Sequence, residues 1–263
     1  MKRLGIYNNK GGVGKSTLTS NLGAGLAIKL GYKTLIIDLD SQRDTSKFLG
    51  LQDTTKAIND IFEQEDARRK GRVVANEIKV ENCIVKNIRE NLDILTNRGL
   101  KIIDSFIKDT KRFDLVFGRL LVDLEKMEYD CILIDCGPSQ TSVNDAILSY
   151  VDHIILPIQT EMASVDAVEN VYEYLDLLDL PSSKVKFVVP NMFDGRLVNA
   201  KRNLERIREY FKDNQGITIT DPIQRRVKIT EAGALGKSVF EYDIDASNQI
   251  LKTLESVVTY LEQ

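Results

Sequence analysis

The sequence predicts an α/β fold in which a mostly parallel, twisted sheet carries helices on both of its faces. Short apolar runs typical of strands alternate with stretches whose apolar residues recur at helical spacing. The runs at residues 34–38 and 131–135 are almost wholly apolar, as expected for parallel strands buried on both sides. A glycine-rich turn joins the first strand to the first helix. The 263 residues suffice for one sizeable core, so we expect a single domain over residues 1–263.

The glycine-rich turn has the sequence of a phosphate-binding loop, which makes the predicted fold that of a P-loop NTPase. Residues 10–17 read Lys-Gly-Gly-Val-Gly-Lys-Ser-Thr, between an apolar run at 4–7 and a helical pattern that stops before Gly31. Glycines let successive backbone N–H groups converge on one anion, and the helix N-terminus adds partial positive charge. In such a loop Lys15 reaches the β- and γ-phosphates, and the Ser16 hydroxyl ligates Mg²⁺. The residues predicted to bind nucleotide are Gly11, Gly12, Val13, Gly14, Lys15, Ser16 and Thr17.

Two of the predicted strands end in carboxylates. Asp38 and Asp40 stand at the end of the run 34–38, and Asp135 ends the run 131–135. Ligands of open α/β sheets bind at the carboxyl edge of the strands, where these side chains should meet the phosphate loop. Carboxylates beside a triphosphate repel it unless a metal ion lies between them. We therefore expect Asp135 to accept a hydrogen bond from a Mg²⁺-bound water, as a Walker B aspartate does.

The remaining elements are predicted from their apolar spacing, except for residues 52–91, which lack a clear pattern. Within that stretch the charged residues 63–72 indicate a solvated helix end and loop. The acidic residues beside the apolar stripe of the last helix favour packing on the sheet over a membrane surface. Strands are predicted at 92–95, 153–157 and 185–189, and helices at 102–124 (two), 164–178, 199–214 and 247–261.

Composition limits the location and the partners of the chain. The formal charge is -3 and the pI is near 5.5, so no global basic field recruits nucleic acid. Segment 196–237 is the exception, because it carries ten Lys or Arg against five Asp or Glu. No apolar run approaches the length of a bilayer, and a strand stands where a signal peptide would, so we expect a cytoplasmic protein without a membrane partner. The three cysteines and His153 are interpreted as structural residues.

Taken together, the motifs resemble those of the ParA/MinD superfamily of ATPases. Residues 10–17 are similar to its deviant Walker A box, in which a second lysine, here Lys10, precedes the glycines. Residues 38–42, Asp-Leu-Asp-Ser-Gln, resemble its Walker A′ box. The resemblance implies that Lys10 reaches across a dimer to the nucleotide of the partner subunit. It also implies that Asp40 positions the attacking water and that Asp38 holds the hydration shell of Mg²⁺.

Later segments narrow the resemblance to the partition branch of this superfamily. The connector at 158–161, Ile-Gln-Thr-Glu, and the segment at 223–232 are similar to those of ParA proteins. This likeness implies that Asn191 reads the adenine edge and that a second base contact lies at Pro222. It further implies that the basic segment meets DNA phosphates. The residues expected to contact DNA are Arg196, Lys201, Arg202, Arg206, Arg225, Arg226 and Lys228.

The resemblance implies an ATP-dependent DNA-segregation ATPase of the short form, without an N-terminal DNA-binding domain. MgATP would join two subunits, and the dimer would bind DNA without sequence specificity and so associate with the nucleoid. A centromere-binding, ParB-like adaptor would stimulate an otherwise slow hydrolysis. The sequence departs from the family where Ser41, Gly137 and Gly233 stand in place of prolines. Three other functions of the same fold stay open: a MinD-like switch on a membrane surface, an amidoligase or metal-cluster carrier, and a nucleotide-gated module that barely hydrolyses.

Overall fold

The computed structural model describes residues 1–161 and 164–263, and a single sheet runs through it. The strands in this part of the chain are β1 (Lys2–Ile6), β2 (Thr34–Leu39), β3 (Val85–Arg89), β4 (Leu92–Leu95), β5 (Cys131–Cys136), β6 (His153–Gln159), β7 (Val185–Asn191) and β8 (Thr218–Ile219). They lie in the order β3-β4-β2-β5-β1-β6-β7-β8. Neighbouring strands run parallel, apart from the antiparallel pair β3 and β4 at one edge. The predicted α/β class with a mostly parallel sheet is confirmed.

Helices connect the strands and cover both faces of the sheet. Within the described residues they are α1 (Lys15–Ala24), α2 (Asp44–Phe48), α3 (Asn59–Arg69), α4 (Val80–Cys83), α5 (Lys101–Lys108), α6 (Val116–Leu120), α7 (Ser142–Tyr150), α8 (Ser164–Leu177), α9 (Val198–Phe211), α10 (Val227–Ala234) and α11 (Ile244–Leu261). A π-helical turn, Gly25–Lys29, extends α1. None of the helices in the described ranges has the length and apolar composition needed to cross a membrane.

Two apolar layers hold the sheet between the helices. On β2, Leu35 and Ile37 belong to one layer, whereas Ile36 belongs to the other. The first layer includes residues of α3 to α9, and the second includes residues of α1, α10 and α11. Both β2 and β5 are buried along their whole length, which is why their sequences are nearly continuous apolar runs. The apolar stripe of α11 packs in the second layer, so its predicted packing on the sheet is confirmed.

The structure differs from the sequence prediction mainly at the edges of the sheet and at helix ends. The prediction lacks β3 and β8, because β3 alternates little in burial and β8 has only two residues. The segment predicted as two helices contains α5 and α6, but 3₁₀ segments Phe113–Leu115 and Val122–Met127 flank α6. Helix α11 begins at Ile244 rather than at residue 247, because the Asp243 side chain accepts a hydrogen bond from the Ala246 N–H at 2.8 Å.

Candidate nucleotide-binding site

The loop between β1 and α1 has the backbone of an anion cradle. Gly12 and Gly14 have φ values of +74° and +89°, which residues with a side chain rarely adopt, and α1 begins directly afterwards. A Cβ on Gly14 would also lie 2.4 Å from the side-chain nitrogen of Asn191. Both glycines are therefore required by the shape of the loop. Because β1 lies between β5 and β6, the loop emerges near the middle of the carboxyl edge of the sheet.

Lys15 is almost completely buried within this loop, with 5% of its surface exposed. Its Nζ donates hydrogen bonds to the carbonyl oxygens of Asn8 and Lys10, each at 3.1 Å. Burial lowers the pKa of Lys15 from its usual value, although the carboxylate of Asp135 opposes that change. An ammonium group taken out of water in this way interacts strongly with anionic oxygens that enter the loop.

Asp38 and Asp135 are paired in register on the neighbouring strands β2 and β5, and both are fully buried. Thr45 Oγ1 donates to Asp135 Oδ2 at 2.7 Å, and Ser46 Oγ donates to Asp38 Oδ2 at 2.5 Å. Burial and the charge of Asp38 raise the pKa of Asp135 to about 8, and burial also raises the pKa of Asp38. Two adjacent buried carboxylates of this kind favour a bound cation.

Ser16 lies beside this carboxylate pair. A hydrogen bond from its side chain to Asp135 partly offsets the rise in the pKa of that carboxyl group. The Ser16 carbonyl oxygen in turn lies 3.1 Å from Thr45 Oγ1, so the first turn of α2 contacts both groups. The structure thus brings together all three residues that were predicted to hold Mg²⁺, and the oxygen donors they offer are those that Mg²⁺ prefers.

Asp40 lies just beyond β2 and faces the space above the loop. Its Oδ1 accepts a hydrogen bond from the Gln42 N–H at 2.8 Å. The Asn97 side chain donates to the backbone carbonyl oxygens of both Asp38 and Asp40 at 3.0 Å. These bonds fix the turn at Ser41, where the chain has no proline.

A cavity of about 450 Å³ lies over the phosphate loop. This volume is within the usual range for small-molecule sites, roughly 300–1,000 Å³. Its walls are formed by the loop, Asp40, the segment that follows β5 and the end of α2. The lining residues are Gly11, Gly12, Gly14, Lys15, Ser16, Thr17, Asp40, Ser41, Gln42, Asp44, Phe48, Pro138, Ser139 and Met192.

Lys10 lies at the rim of the site with its side chain partly exposed. Its Nζ is 3.1 Å from Glu161 Oε2, on the segment that follows β6. The backbone N–H of Lys10 donates to Asn8 Oδ1 at 2.8 Å, and Asn8 in turn donates to the carbonyl oxygen of Pro157 at 2.8 Å. The backbone of Lys10 is therefore fixed, whereas its ammonium group is accessible from outside the chain.

The two residues expected to contact the base lie near each other. The Ile223 N–H donates to the carbonyl oxygen of Pro190 at 2.8 Å, which joins the segment of Pro222 to that of Asn191. The Asn191 side chain donates to the carbonyl oxygen of Val13 at 2.8 Å, so its amide nitrogen is engaged by the phosphate loop. Met192, rather than Asn191 or Pro222, is among the residues that line the described cavity. Contact of these two residues with adenine stays a prediction.

The basic residues of segment 196–237 lie around α9 and around the start of α10, and these two parts of the chain adjoin each other. Arg225 lines a small cavity together with Leu197 and Ala200, at the start of α9. Helix α9 carries Lys201, Arg202 and Arg206, and all three are exposed, as is Arg225. Arg226 is half-buried. The other two predicted DNA contacts form ion pairs with nearby carboxylates, Arg196 with Asp194 at 2.7 Å and Lys228 with Glu231 at 2.9 Å.

The sequence prediction missed several residues that shape the site. Thr45 and Ser46 support the two buried carboxylates, Asn97 fixes the turn at Asp40, and Phe48 lines the cavity. The hydroxyl pair stands shortly after the box at residues 38–42, a position that could have identified it as support for that box. No comparable signal marks Asn97 or Phe48, because each contacts residues far away in the sequence.

A phosphate loop whose lysine and serine adjoin strand-end aspartates defines the class of this protein, a P-loop NTPase. The family model described as an AAA domain matches residues 1–186. The chain belongs to that family, and within it to the ParA/MinD type of ATPase with a deviant Walker A loop.

Named relatives cover nearly the whole chain. The sporulation initiation inhibitor protein Soj of Bacillus subtilis is 26% identical over 253 residues, which cover 92% of this chain and 91% of Soj. The chromosome partitioning protein ParA of Myxococcus xanthus is 28% identical over 242 residues, which cover 91% of this chain and 81% of that protein. Among solved structures, an ATP complex of a McdA variant from Cyanothece has a TM-score of 0.80 at 18% identity and covers 98% of this chain and 96% of its own. At that identity the likeness concerns the fold.

Proposed function

We propose that this chain is a DNA-segregation ATPase that binds and hydrolyses ATP with Mg²⁺ and engages DNA as an ATP-dependent dimer. The observation that carries the proposal is the cavity in which Asp40 faces a phosphate loop whose second lysine, Lys10, lies at the rim. The relatives named as Soj and as the chromosome partitioning protein ParA support the biological role. The McdA variant, solved as a complex with ATP, supports the choice of nucleotide.

The residues of the cavity account for the chemistry of hydrolysis. The loop N–H groups and Lys15 would bind the β- and γ-phosphates, and Ser16, Asp38 and Asp135 would hold Mg²⁺. Bound Mg²⁺ supplies charge neutralisation at the phosphate oxygens. Asp40 orients the water whose oxygen forms the new bond to the γ-phosphorus, while the bond from that phosphorus to the ADP oxygen breaks. Positioning and charge neutralisation provide most of the rate in such reactions, and we expect slow turnover without a partner.

In the proposed dimer, Lys10 of each subunit forms part of the nucleotide site of the other. Its ion pair with Glu161 is largely exposed, and exposed pairs contribute only about 0–1 kcal/mol. The ammonium group can therefore exchange this partner for the phosphates of a nucleotide bound by a second copy of the chain. Each subunit would then complete the site of the other, and dimerisation would depend on the nucleotide.

The basic segment provides the surface for DNA. Lys201, Arg202, Arg206 and Arg225 are exposed cations on adjoining elements, in a chain that is acidic overall. Such a surface binds the phosphate backbone and reads little sequence. A dimer would present two copies of it, and a ParB-like adaptor would stimulate hydrolysis and so release the DNA.

An Asp40→Ala variant tests the catalytic half of the proposal. Phosphate release with MgATP should fall to background, while a fluorescent ATP analogue should still bind and the protein should sediment as a stable dimer. Asp53→Ala, which removes an exposed aspartate outside the cavity lining, is the matched control and should hydrolyse ATP like the wild type. Normal turnover by Asp40→Ala would reject the role given to Asp40.

A further inference from the structure

Helix α2 connects the metal-binding carboxylates to the basic part of the chain. At its first turn, Thr45 and Ser46 donate hydrogen bonds to Asp135 and Asp38 at 2.7 Å and 2.5 Å. At its other end, Phe48 lines the nucleotide cavity together with Thr17 and Met192. Asp44 and Phe48, at the two ends of this short helix, both line the cavity that the nucleotide is expected to fill.

Phe48 also packs against α10. A Cβ built on Gly233, in the last turn of α10, would lie 3.0 Å from Phe48 Cδ1 and 3.2 Å from Cγ. The ring thus occupies the space that a side chain at position 233 would need. This contact accounts for the glycine at position 233, and it places one aromatic ring between the cavity and α10.

The C-terminal ends of α2 and α10 are fixed to each other. A Cβ on Gly236 would lie 2.8 Å from Gly50 Cα, so the two backbones are in close contact. Arg89 of β3 donates to the carbonyl oxygens of Leu49 at 3.3 Å and of Gly236 at 2.8 Å, and it pairs with Glu241 at 2.7 Å. These bonds leave α10 little freedom at this end.

The opposite end of α10 follows Arg225 and Arg226 directly. Arg225 and Val227 are exposed there, and the Arg225 N–H donates to the carbonyl oxygen of Phe193 at 3.0 Å, which holds this end to the segment that follows β7. At a rise of about 1.5 Å per residue, this end is roughly 10 Å from the contact at Gly233. A displacement of the Phe48 ring would press on α10 between its two attached ends and so alter the position of its basic end.

We propose that Phe48 couples the content of the nucleotide cavity to the position of α10 and thereby sets the affinity of the basic segment for DNA phosphates. The part that concerns DNA rests on the proposed function, whereas the coupling of cavity to helix does not. A nucleotide that contacts the ring shifts it against Gly233, and α10 carries the change to Arg225.

Hydrogen exchange of the α10 amides tests the coupling without DNA. Wild type, Phe48→Ala and Phe113→Ala are compared with and without MgAMPPNP, at concentrations that saturate each protein in a fluorescent-nucleotide titration. Phe113 is a matched control, since it is also half-buried but packs in the apolar layer on the other face of the sheet. We expect nucleotide to change exchange at residues 227–236 by roughly 5-fold or more in wild type and Phe113→Ala, and hardly at all in Phe48→Ala.

A Phe48→Leu variant keeps an apolar side chain, so it still tests the proposal if the alanine variant fails to fold. It should fold like the wild type, as judged by thermal unfolding, and show a reduced response of α10. A wild-type response in both Phe48 variants would overturn the proposal, as would the absence of any nucleotide effect on α10 in wild type.

A DNA-binding measurement on the same proteins separates this inference from the proposed function. In Phe48→Ala the ratio of the DNA Kd with ADP to that with ATP should fall toward one, from a wild-type ratio of roughly 5–150. If α10 responds to nucleotide but no form binds DNA, the coupling stands and the proposed function fails. If wild type binds DNA only with ATP while Phe48→Ala keeps the full ratio, the function stands and the coupling fails.

Discussion

The phosphate-loop region and the basic segment 196–237 carry the two halves of the proposed activity, and they are built differently. In the first region Asp38 and Asp135 are buried and hydrogen-bonded to Ser46 and Thr45 of α2, and Thr45 is distant in the sequence from Asp135. In the second, Arg196 and Lys228 pair with carboxylates two and three positions away. A buried charge needs fixed partners, whereas an exposed charge is solvated by water. ATP hydrolysis by the first region should therefore depend on single residues, whereas DNA binding by the second should depend on the sum of its charges.

The carboxyl groups of the two regions illustrate this difference. Burial raises the pKa of Asp135 to about 8, whereas the hydrogen bonds from Arg196 lower the pKa of Asp194 to about 2. Desolvation dominates in the phosphate-loop region, and local pairing with a cation dominates in the basic segment. Salt should accordingly screen the charges of the basic segment much more than the buried carboxylates of the phosphate-loop region.

The largest effect is expected from a single lysine of the phosphate loop. Lys15→Ala removes the buried ammonium group and should reduce phosphate release by at least ~100-fold. Lys10→Ala should also abolish turnover, but this variant should still bind a fluorescent ATP analogue as a monomer. Lys111→Ala, at an exposed position after α5, is the control. Substantial turnover by Lys15→Ala would mean that ATP hydrolysis does not depend on this single residue.

A smaller effect is expected from charge reversal in the basic segment. Arg202→Glu combined with Arg225→Glu should weaken binding of random-sequence DNA by roughly 10–100-fold and lower the salt slope by about two. ATP binding should not change, because neither residue lines the described nucleotide cavity.

The matched control for this prediction reverses two neighbouring cations elsewhere. Lys111→Glu combined with Arg112→Glu changes the net charge by the same amount, at exposed positions outside segment 196–237. DNA affinity should stay near that of wild type. An equal loss in both double variants would assign the effect to total charge and reject the surface.

A further effect, on stability rather than on activity, is expected from pH through Asp135. Since its pKa is about 8 when folded and 3.8 is its ordinary value, the folded chain binds a proton more tightly than the unfolded chain. The contribution of this group to stability is full below its ordinary pKa and is lost as pH rises toward 8. Denaturant unfolding with a chelator and no nucleotide should show this decline between about pH 5 and pH 8. Asp135→Asn should flatten the curve, and an unchanged slope would contradict the assigned pKa.

The parts of the site that the sequence could predict are those with a local pattern. The phosphate loop, Asp38 and Asp135 follow from a strand, a glycine-rich turn and two apolar runs that end in aspartate. Parallel strands bring their carboxyl ends to one edge, which is why residues almost 100 positions apart could be placed together. The structure confirms this sheet and the position of the loop within it.

The parts that the sequence could not predict depend on contacts between distant segments. The support of Asp135 by Thr45 and the packing of Phe48 on Gly233 arise only when the chain is folded. The two-residue strand β8 is too short to show any periodicity. Exposure of the basic residues could be expected from their charge, but the approach of Arg225 to α9 required the fold.

The central claim is that the nucleotide in the first region controls the phosphate contacts of the second. The most direct test is binding of a random-sequence DNA duplex with MgATP, with MgADP and without nucleotide, each over a series of salt concentrations. We predict tight binding with ATP alone, and affinity that falls steeply as salt rises. Equally weak binding in all three states would contradict the account. It would remove DNA from the mechanism and direct attention to membranes and protein partners.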